Sequence, residues 1–232
     1  MQKYVAEFIG TFFLVLTIGC TVIGHGAGSL APLAIGSALM VMIFAGGHIS
    51  GGHFNPAVTL GVWLCGKCET KDVAPYMIFQ IVGAVLAALV VKFLKGGAAV
   101  APLQPQTVPA LLAEFLFTFA LVYVVLNVAT AKGTSGNSFY GLAIGFTVLV
   151  GAFSVGNISG GAFNPAVATG ISVLGLSSWA NIWIYLLAEF AGAAVAAGAF
   201  KALNPAERED LRRLSSRDQR RQQREREQRE VA

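Results

Sequence analysis

Two long stretches of the chain carry no Asp, Glu, Lys or Arg, and they restrict the possible folds more than any other feature. One lies between Glu7 and Lys67, and the other lies between Lys132 and Glu189. Charged residues make up 12% of the 232 residues, whereas about 25% is usual for a soluble domain. A soluble fold of this length could not keep both stretches off its surface. The sequence therefore predicts a polytopic membrane protein, and it excludes most enzymes, nucleic-acid-binding proteins and disordered proteins.

Six segments have the apolar character and length of membrane-spanning helices, which need about 20 residues. They cover residues 4–23, 30–47, 75–94, 109–129, 138–155 and 180–203. Two shorter apolar segments, 56–64 and 165–174, would be only about 15 Å long as helices and could not cross a bilayer alone. The predicted fold class is an all-α membrane protein with six transmembrane helices and two re-entrant half-helices.

A ten-residue pattern occurs twice at an offset of 109 residues. It reads ISGGHFNPAV at residues 49–58 and ISGGAFNPAV at residues 158–167. Because other motifs recur at nearly the same offset, residues 1–95 and 109–203 are predicted to be two copies of one unit. Each copy has three spans and one half-span, so the second copy enters the membrane from the opposite side and the repeats are inverted. These repeats form a predicted channel domain, 1–204, which is followed by a charged cytoplasmic tail, 205–232.

The distribution of Lys and Arg predicts the orientation in the membrane. With both termini in the cytoplasm, only Lys92 and Lys95 lie outside. The cytoplasmic side then holds the tail arginines together with Lys3, Lys67, Lys71, Lys132 and Lys201. The expected localisation is an integral, multi-pass protein of the plasma (inner) membrane.

Both copies of the repeated pattern contain Asn-Pro-Ala, as Asn55, Pro56 and Ala57 and again as Asn164, Pro165 and Ala166. Asparagine is a favourable N-cap and proline suits the first helical position, so each motif is predicted to begin a half-helix. Inversion points both positive helix ends at the bilayer centre, where they disfavour protons and cations. Irregular backbone at that depth must line a cavity or be buried in protein. The sequence therefore predicts a narrow polar path with asparagine amides as donors at its centre.

The loops before the two motifs are expected to line this path. Their pore-lining residues are predicted to be His48, Gly51, Gly52, His53 and Gly160. For the two histidines, ordinary hydrogen bonding within the loop remains an open alternative.

With these motifs the chain resembles the aquaporin, or major intrinsic protein, family over about residues 3–203. The segment HISGGHFNPAVT at residues 48–59 is close to the first signature of that family. The resemblance implies a homotetramer in membrane lipid, with one pore per subunit for the passive passage of water or small neutral solutes. It also implies that Glu7 and Glu114 hold the backbones of the two loops. The sequence contains no nucleophile–base pair, metal cluster or phosphate-binding loop, so no enzymatic activity, cofactor, metal or nucleic-acid partner is expected.

The residues aligned with the narrowest ring of the family are Ile35, Ala152, Gly161 and Val167. In most members of the family the residue at the last of these positions is arginine, whereas in this chain it is Val167. The small, uncharged ring implies a wider, less water-selective pore for small polyols, urea, ammonia or neutral metalloid hydroxides such as arsenite. An apolar ring could instead obstruct flow by losing its water.

Two other functions stay open at this point. A secondary transporter also uses inverted repeats and broken helices, but it would need a coupling-ion site. A non-conducting structural membrane protein would show no permeability above that of lipid. Glu189, which the repeat pairs with Gln80, has no assigned role, and Cys65 and Cys68 are expected to be structural or incidental.

Overall fold

The computed structural model describes residues 1–24 and 26–207, and most of these residues are helical. The helices are α1 (Gln2–Val22), α2 (Ala31–Ser50), α3 (Pro56–Leu64), α4 (Thr70–Leu94), α5 (Thr107–Val125), α6 (Tyr140–Ser159), α7 (Pro165–Leu174) and α8 (Ile182–Leu203). Short 3-10 turns precede α2 and α8, and one π-helical turn, Leu126–Thr130, extends α5. The six long helices, counted with their adjoining turns, are 20 to 25 residues long and apolar enough to cross a membrane. The predicted fold of six long helices and two half-helices is therefore confirmed.

Several predicted helix boundaries are wrong by a few residues. Helix α4 begins at Thr70 rather than at Pro75, because Asp72 in its first turn accepts hydrogen bonds from Lys3 Nζ and Tyr4 Oη. Helices α2 and α6 continue to the glycines that follow them, beyond the predicted ends at 47 and 155. Gly51 and Gly160 end these helices with φ angles of 91° and 99°, a left-handed conformation that favours glycine.

The six long helices expose apolar side chains and bury polar ones. Glu7, Gln80, Glu114 and Glu189 are fully buried. Every long helix, in contrast, presents at least one large apolar side chain that is 45% or more exposed, namely Ile9, Val41, Leu89, Leu116, Val150 and Leu187. This distribution suits a protein whose outer surface contacts lipid rather than water.

Glycines allow two long helices to pack closely in each repeat, and the two repeats use equivalent positions. A Cβ atom on Gly83 of α4 would lie 2.6 Å from the Phe8 carbonyl oxygen of α1. A Cβ atom on Gly192 of α8 would lie 2.6 Å from the Phe115 carbonyl oxygen of α5. The same helix pair therefore packs backbone to backbone in each repeat, as small residues allow in membranes.

We expect Gly192→Ala to destabilise the protein by about 1–3 kcal/mol, because the added methyl group overlaps backbone that cannot move freely. Gly198 on the same helix is the matched control, since a Cβ atom there meets nothing within 4 Å. Gly198→Ala should be neutral or stabilising by up to about 1 kcal/mol. Thermal unfolding of the two variants in detergent measures the difference, and equal unfolding temperatures would contradict the assigned contact.

The first residues after α8 are attached to the body of the protein. Glu207 is buried and accepts hydrogen bonds from Lys67 Nζ at 2.6 Å and from the Lys132 backbone N–H at 2.7 Å. Burial alone raises the pKa of Glu207, but the two hydrogen bonds and the positive charges of Lys67 and Lys132 together lower the pKa below its usual value. The beginning of the predicted tail is therefore fixed to the loops after α3 and α5, and residues 208–232 lie outside the described residues.

Candidate functional site

The two half-helices begin as the sequence predicts, with an asparagine cap followed by proline. Asn55 Oδ1 accepts hydrogen bonds from the backbone N–H of Ala57 at 2.8 Å and from that of the next residue. Asn164 makes the equivalent pair, with 2.9 Å to the N–H of Ala166. Pro56 and Pro165 occupy the first helical position, where no N–H donor is required. Two donors at each helix start are thereby satisfied.

The same asparagines join the two half-helices. Asn55 Nδ2 donates to the Phe163 carbonyl oxygen at 2.9 Å, and Asn164 Nδ2 donates to the Phe54 carbonyl oxygen at 2.8 Å. Both phenylalanines have φ near 50°, which is unusual for a residue with a side chain. The helix starts therefore meet, and each amide retains one of its two N–H groups for the cavity between them.

Glu7 fixes the first loop by accepting four hydrogen bonds. Its Oε1 accepts from Ser50 Oγ at 2.6 Å and from the His53 backbone N–H at 3.0 Å. Its Oε2 accepts from the Phe54 backbone N–H at 2.6 Å and from Gln80 Nε2 at 2.7 Å. A fully buried carboxylate with four donors is a strong anchor for irregular backbone.

The second loop is fixed by two acids. Glu114 accepts hydrogen bonds from the backbone N–H groups of Ala162 at 3.1 Å and Phe163 at 2.7 Å. The N–H of Asn164 donates to Glu189 Oε1 at 2.8 Å. The sequence alone indicates no role for Glu189, although the repeat pairs it with Gln80.

Two tyrosines complete the loop supports, and in the sequence they are related only by the 109-residue offset of the repeat. Tyr76 Oη donates to the Ser50 carbonyl oxygen at 2.8 Å, and Tyr185 Oη donates to the Ser159 carbonyl oxygen at 2.6 Å. The donors and the acceptors of these two hydrogen bonds are each related by the same 109-residue offset. Tyr76 also packs edge-on against the ring of His53, with ring centres 5.2 Å apart.

Three neighbouring cavities share lining residues. Vestibule I, of about 340 Å³, contains the four predicted ring residues Ile35, Ala152, Gly161 and Val167, together with Gly160. The central passage is only about 30 Å³, room for a very small number of water molecules. Three of the ring residues, all except Ala152, line both spaces and so mark their junction.

Gly160 lines vestibule I, and the other four loop residues predicted to line a path are divided between the central passage and a second vestibule. Gly52 and His53 line the central passage, as do both capping asparagines. The His53 ring is hydrogen bonded through Nδ1 to Thr59 Oγ1 at 3.1 Å, so it has a structural contact as well. His48 and Gly51 line vestibule II, a cavity of about 440 Å³ that shares Ile144 with the passage.

The electrostatic character of the central passage comes from backbone and amides. Among the described residues that line it, none is Asp, Glu, Lys or Arg. The partial positive charges of two helix starts point toward it. Such a passage can hydrogen bond a neutral molecule while disfavouring a cation.

Comparison with known proteins agrees with this architecture. Residues 1–200 match the family model described as "Major intrinsic protein". The chain belongs to the major intrinsic protein family. A rice protein named aquaporin NIP1-1 (Oryza sativa subsp. japonica) is 38% identical to this family member over 216 residues, covering 88% of this chain and 74% of its own.

A bacterial protein is also similar to this major intrinsic protein. The glycerol uptake facilitator protein-like 6 of Lactiplantibacillus plantarum is 40% identical over 207 residues, which cover 85% of this chain and 95% of its own. The X-ray structure of the aquaglyceroporin from Plasmodium falciparum has the same fold, with a TM-score of 0.74 at 23% identity, covering 90% of this chain and 98% of that one.

Family membership decides the class of function. This major intrinsic protein is an integral, multi-pass membrane channel for water and small solutes, and it is not an enzyme. The assignment favours a channel over the two alternatives, a secondary transporter and a non-conducting structural protein.

Proposed function

We propose that the channel conducts small uncharged solutes in addition to water, passively and with low water selectivity. The solutes are small polyols, urea, ammonia and neutral metalloid hydroxides such as arsenite. The single observation that carries this proposal is the uncharged side chain of Val167 at the junction of vestibule I and the central passage.

The chemistry of the junction supports this solute class. Val167 is 4% exposed and lies in the first turn of α7. None of the described residues that line vestibule I has a charged side chain. Ile35, Ala152 and Gly161 add only aliphatic surface and backbone. Apolar walls suit the C–H surface of a polyol, while a few polar groups orient its hydroxyls. The asparagine amides supply such groups further along the passage.

Exclusion of cations then depends on the helix starts instead of a ring arginine. The N-termini of α3 and α7 meet at the capping asparagines and present partial positive charge to the passage. A proton or metal cation would lose its hydration shell there without gaining a compensating negative group.

The proposal includes an orientation and an assembly. Vestibule II lies beside Lys132 and the loops fixed by Lys67 and Glu207, so the positive-inside bias assigns it to the cytoplasm together with both termini. The proposed location is the plasma (inner) membrane. Membership of the family supports a homotetramer with one pore per subunit.

The test is stopped-flow light scattering on vesicles containing the purified full chain. We expect water, glycerol, urea and arsenite to cross faster than in protein-free vesicles, without saturation and without dependence on an ion gradient. No proton flux above that of lipid should accompany them. Passage of water alone would contradict the wider pore, and saturable, gradient-dependent uptake would indicate a secondary transporter. Permeability equal to that of bare lipid would indicate a structural protein.

A further inference from the structure

The two loop supports differ at one position, and the difference changes their chemistry. In the first repeat, Gln80 Nε2 donates a hydrogen bond to Glu7 Oε2 at 2.7 Å. At the paired position of the second repeat stands Glu189. The carboxyl groups of Glu114 and Glu189 accept hydrogen bonds from the consecutive backbone N–H groups of Phe163 and Asn164, so they lie side by side. An amide N–H donor has therefore been replaced by a carboxyl group that faces another carboxyl group.

Both acids are fully buried, and no positively charged side chain among the described residues compensates them. The titratable groups that face Glu189 are Glu114 on α5 and Tyr185 on its own helix. Half-helices α3 and α7, which pack against α8 and lie wholly within the described residues, contain no ionisable side chain. Tyr185 cannot supply a proton to the pair, because its hydroxyl donates to the Ser159 carbonyl oxygen. Two adjacent buried carboxylates without a cation would repel each other strongly.

A count of donors shows where one further proton fits. The two oxygens of Glu114 accept from the N–H groups of Ala162 and Phe163, with the Ser159 hydroxyl as a further neighbouring donor. Glu189 Oε1 accepts from the N–H of Asn164. Glu189 Oε2 is buried and has no hydrogen-bond donor among the described residues. A carboxyl oxygen without a donor, placed next to a carboxylate, becomes satisfied when it carries a proton itself.

We propose that Glu189 is protonated and donates its Oε2–H to Glu114, so that a carboxylic acid in the second repeat does what the Gln80 amide does in the first. Glu189 is thus a positioning residue. It holds Glu114 and the Asn164 backbone, and through them the loop that carries Gly161 and the start of α7, where Val167 lies. Loss of this proton to base in solution leaves two facing carboxylates and loosens that loop.

The first test compares the pH profile of the native channel with that of Glu189→Gln, which restores the chemistry of Gln80. Water permeability is the readout, so the test does not depend on the proposed wider pore. Between about pH 6 and about pH 10, a range in which unperturbed carboxyl groups remain ionised, we expect native permeability to fall at the alkaline end. The fall should be at least about fivefold, the effect of losing one buried hydrogen bond and leaving its partner unsatisfied. The water permeability of the Glu189→Gln channel should stay constant over the same range. If the native channel and Glu189→Gln have parallel pH profiles, the proposal is overturned.

The second test detects the proton directly and needs no flux. The infrared spectrum of the native protein at neutral pH should contain the carbonyl band of a protonated carboxylic acid, and this band should be absent from Glu189→Gln. Absence of the band from the native protein, or its persistence in Glu189→Gln, would overturn the proposal. Gln80→Glu supplies the converse variant, since a second acid beside Glu7 should add a band of the same kind.

Discussion

Val167→Arg is expected to lower glycerol and urea permeability by at least about tenfold, equivalent to about 1.4 kcal/mol of barrier, while water permeability changes much less. The arginine side chain would extend from the first turn of α7 into the junction between vestibule I and a central passage of only about 30 Å³. It would fill space that a polyol needs, and its N–H groups would bind water in place of apolar contacts. Stopped-flow light scattering with matched osmotic gradients of each solute measures the change.

Val167→Leu separates the size of the side chain from its charge. Leucine adds one methylene group and no donor, so it should reduce solute flux only moderately. Unfolding temperatures of all variants in detergent check that the loop is intact. Equal glycerol permeability in the native and arginine channels would show that Val167 does not lie at the limiting position.

Glu7→Ala is expected to destabilise the protein by about 3 kcal/mol or more, because buried donors left without an acceptor are costly. Four donors lose their partner at once: two backbone N–H groups of the first loop, Ser50 Oγ and Gln80 Nε2. The loop carries Asn55, so channel activity should disappear together with the folded loop. Thermal unfolding in detergent and water flux in vesicles measure the two effects.

Glu69→Ala is the matched control for the loss of one negative charge. Glu69 pairs with Lys71, but its side chain is 67% exposed, so the pair contributes little to stability. The unfolding temperature of Glu7→Gln should lie between those of the two alanine variants. Glutamine keeps one oxygen as an acceptor, but its amide N–H groups would face the N–H donors of the loop. A Glu7→Ala protein as stable as Glu69→Ala would show that the first loop does not depend on this carboxylate.

The half-helices could be predicted closely from the sequence, because their starts depend on local chemistry. An asparagine cap followed by proline acts within four residues, and the observed bounds Pro56–Leu64 and Pro165–Leu174 are the predicted ones. The ends of the long helices were less predictable. The early start of α4 depends on Asp72 contacting the beginning of α1, which is a tertiary interaction.

The contacts between the loops could not be predicted in the same way. The asparagines were expected to cap the half-helices and to offer their amides as donors to a path, whereas each amide also donates to the carbonyl oxygen of a phenylalanine in the other repeat. Nothing in either ten-residue pattern indicates this exchange. The repeat itself did pair Tyr76 with Tyr185 and Gln80 with Glu189, but a pairing shows equivalence and not the atom that is bonded. The roles of the four ring residues in selectivity remain predictions.

The exchange of hydrogen bonds between Asn55 and Asn164 has a consequence for how the protein is made. The carbonyl group that Asn55 needs belongs to a residue 108 positions later in the chain. A ribosome adds about 5–20 residues per second, so roughly 5–20 s of translation separate the two partners. Throughout that interval the first repeat resides in the bilayer with an incomplete half-helix start, where an unpaired amide is costly. A chain that stops after its first repeat is therefore not half of a working pore, because the start of its half-helix is completed only by the second repeat.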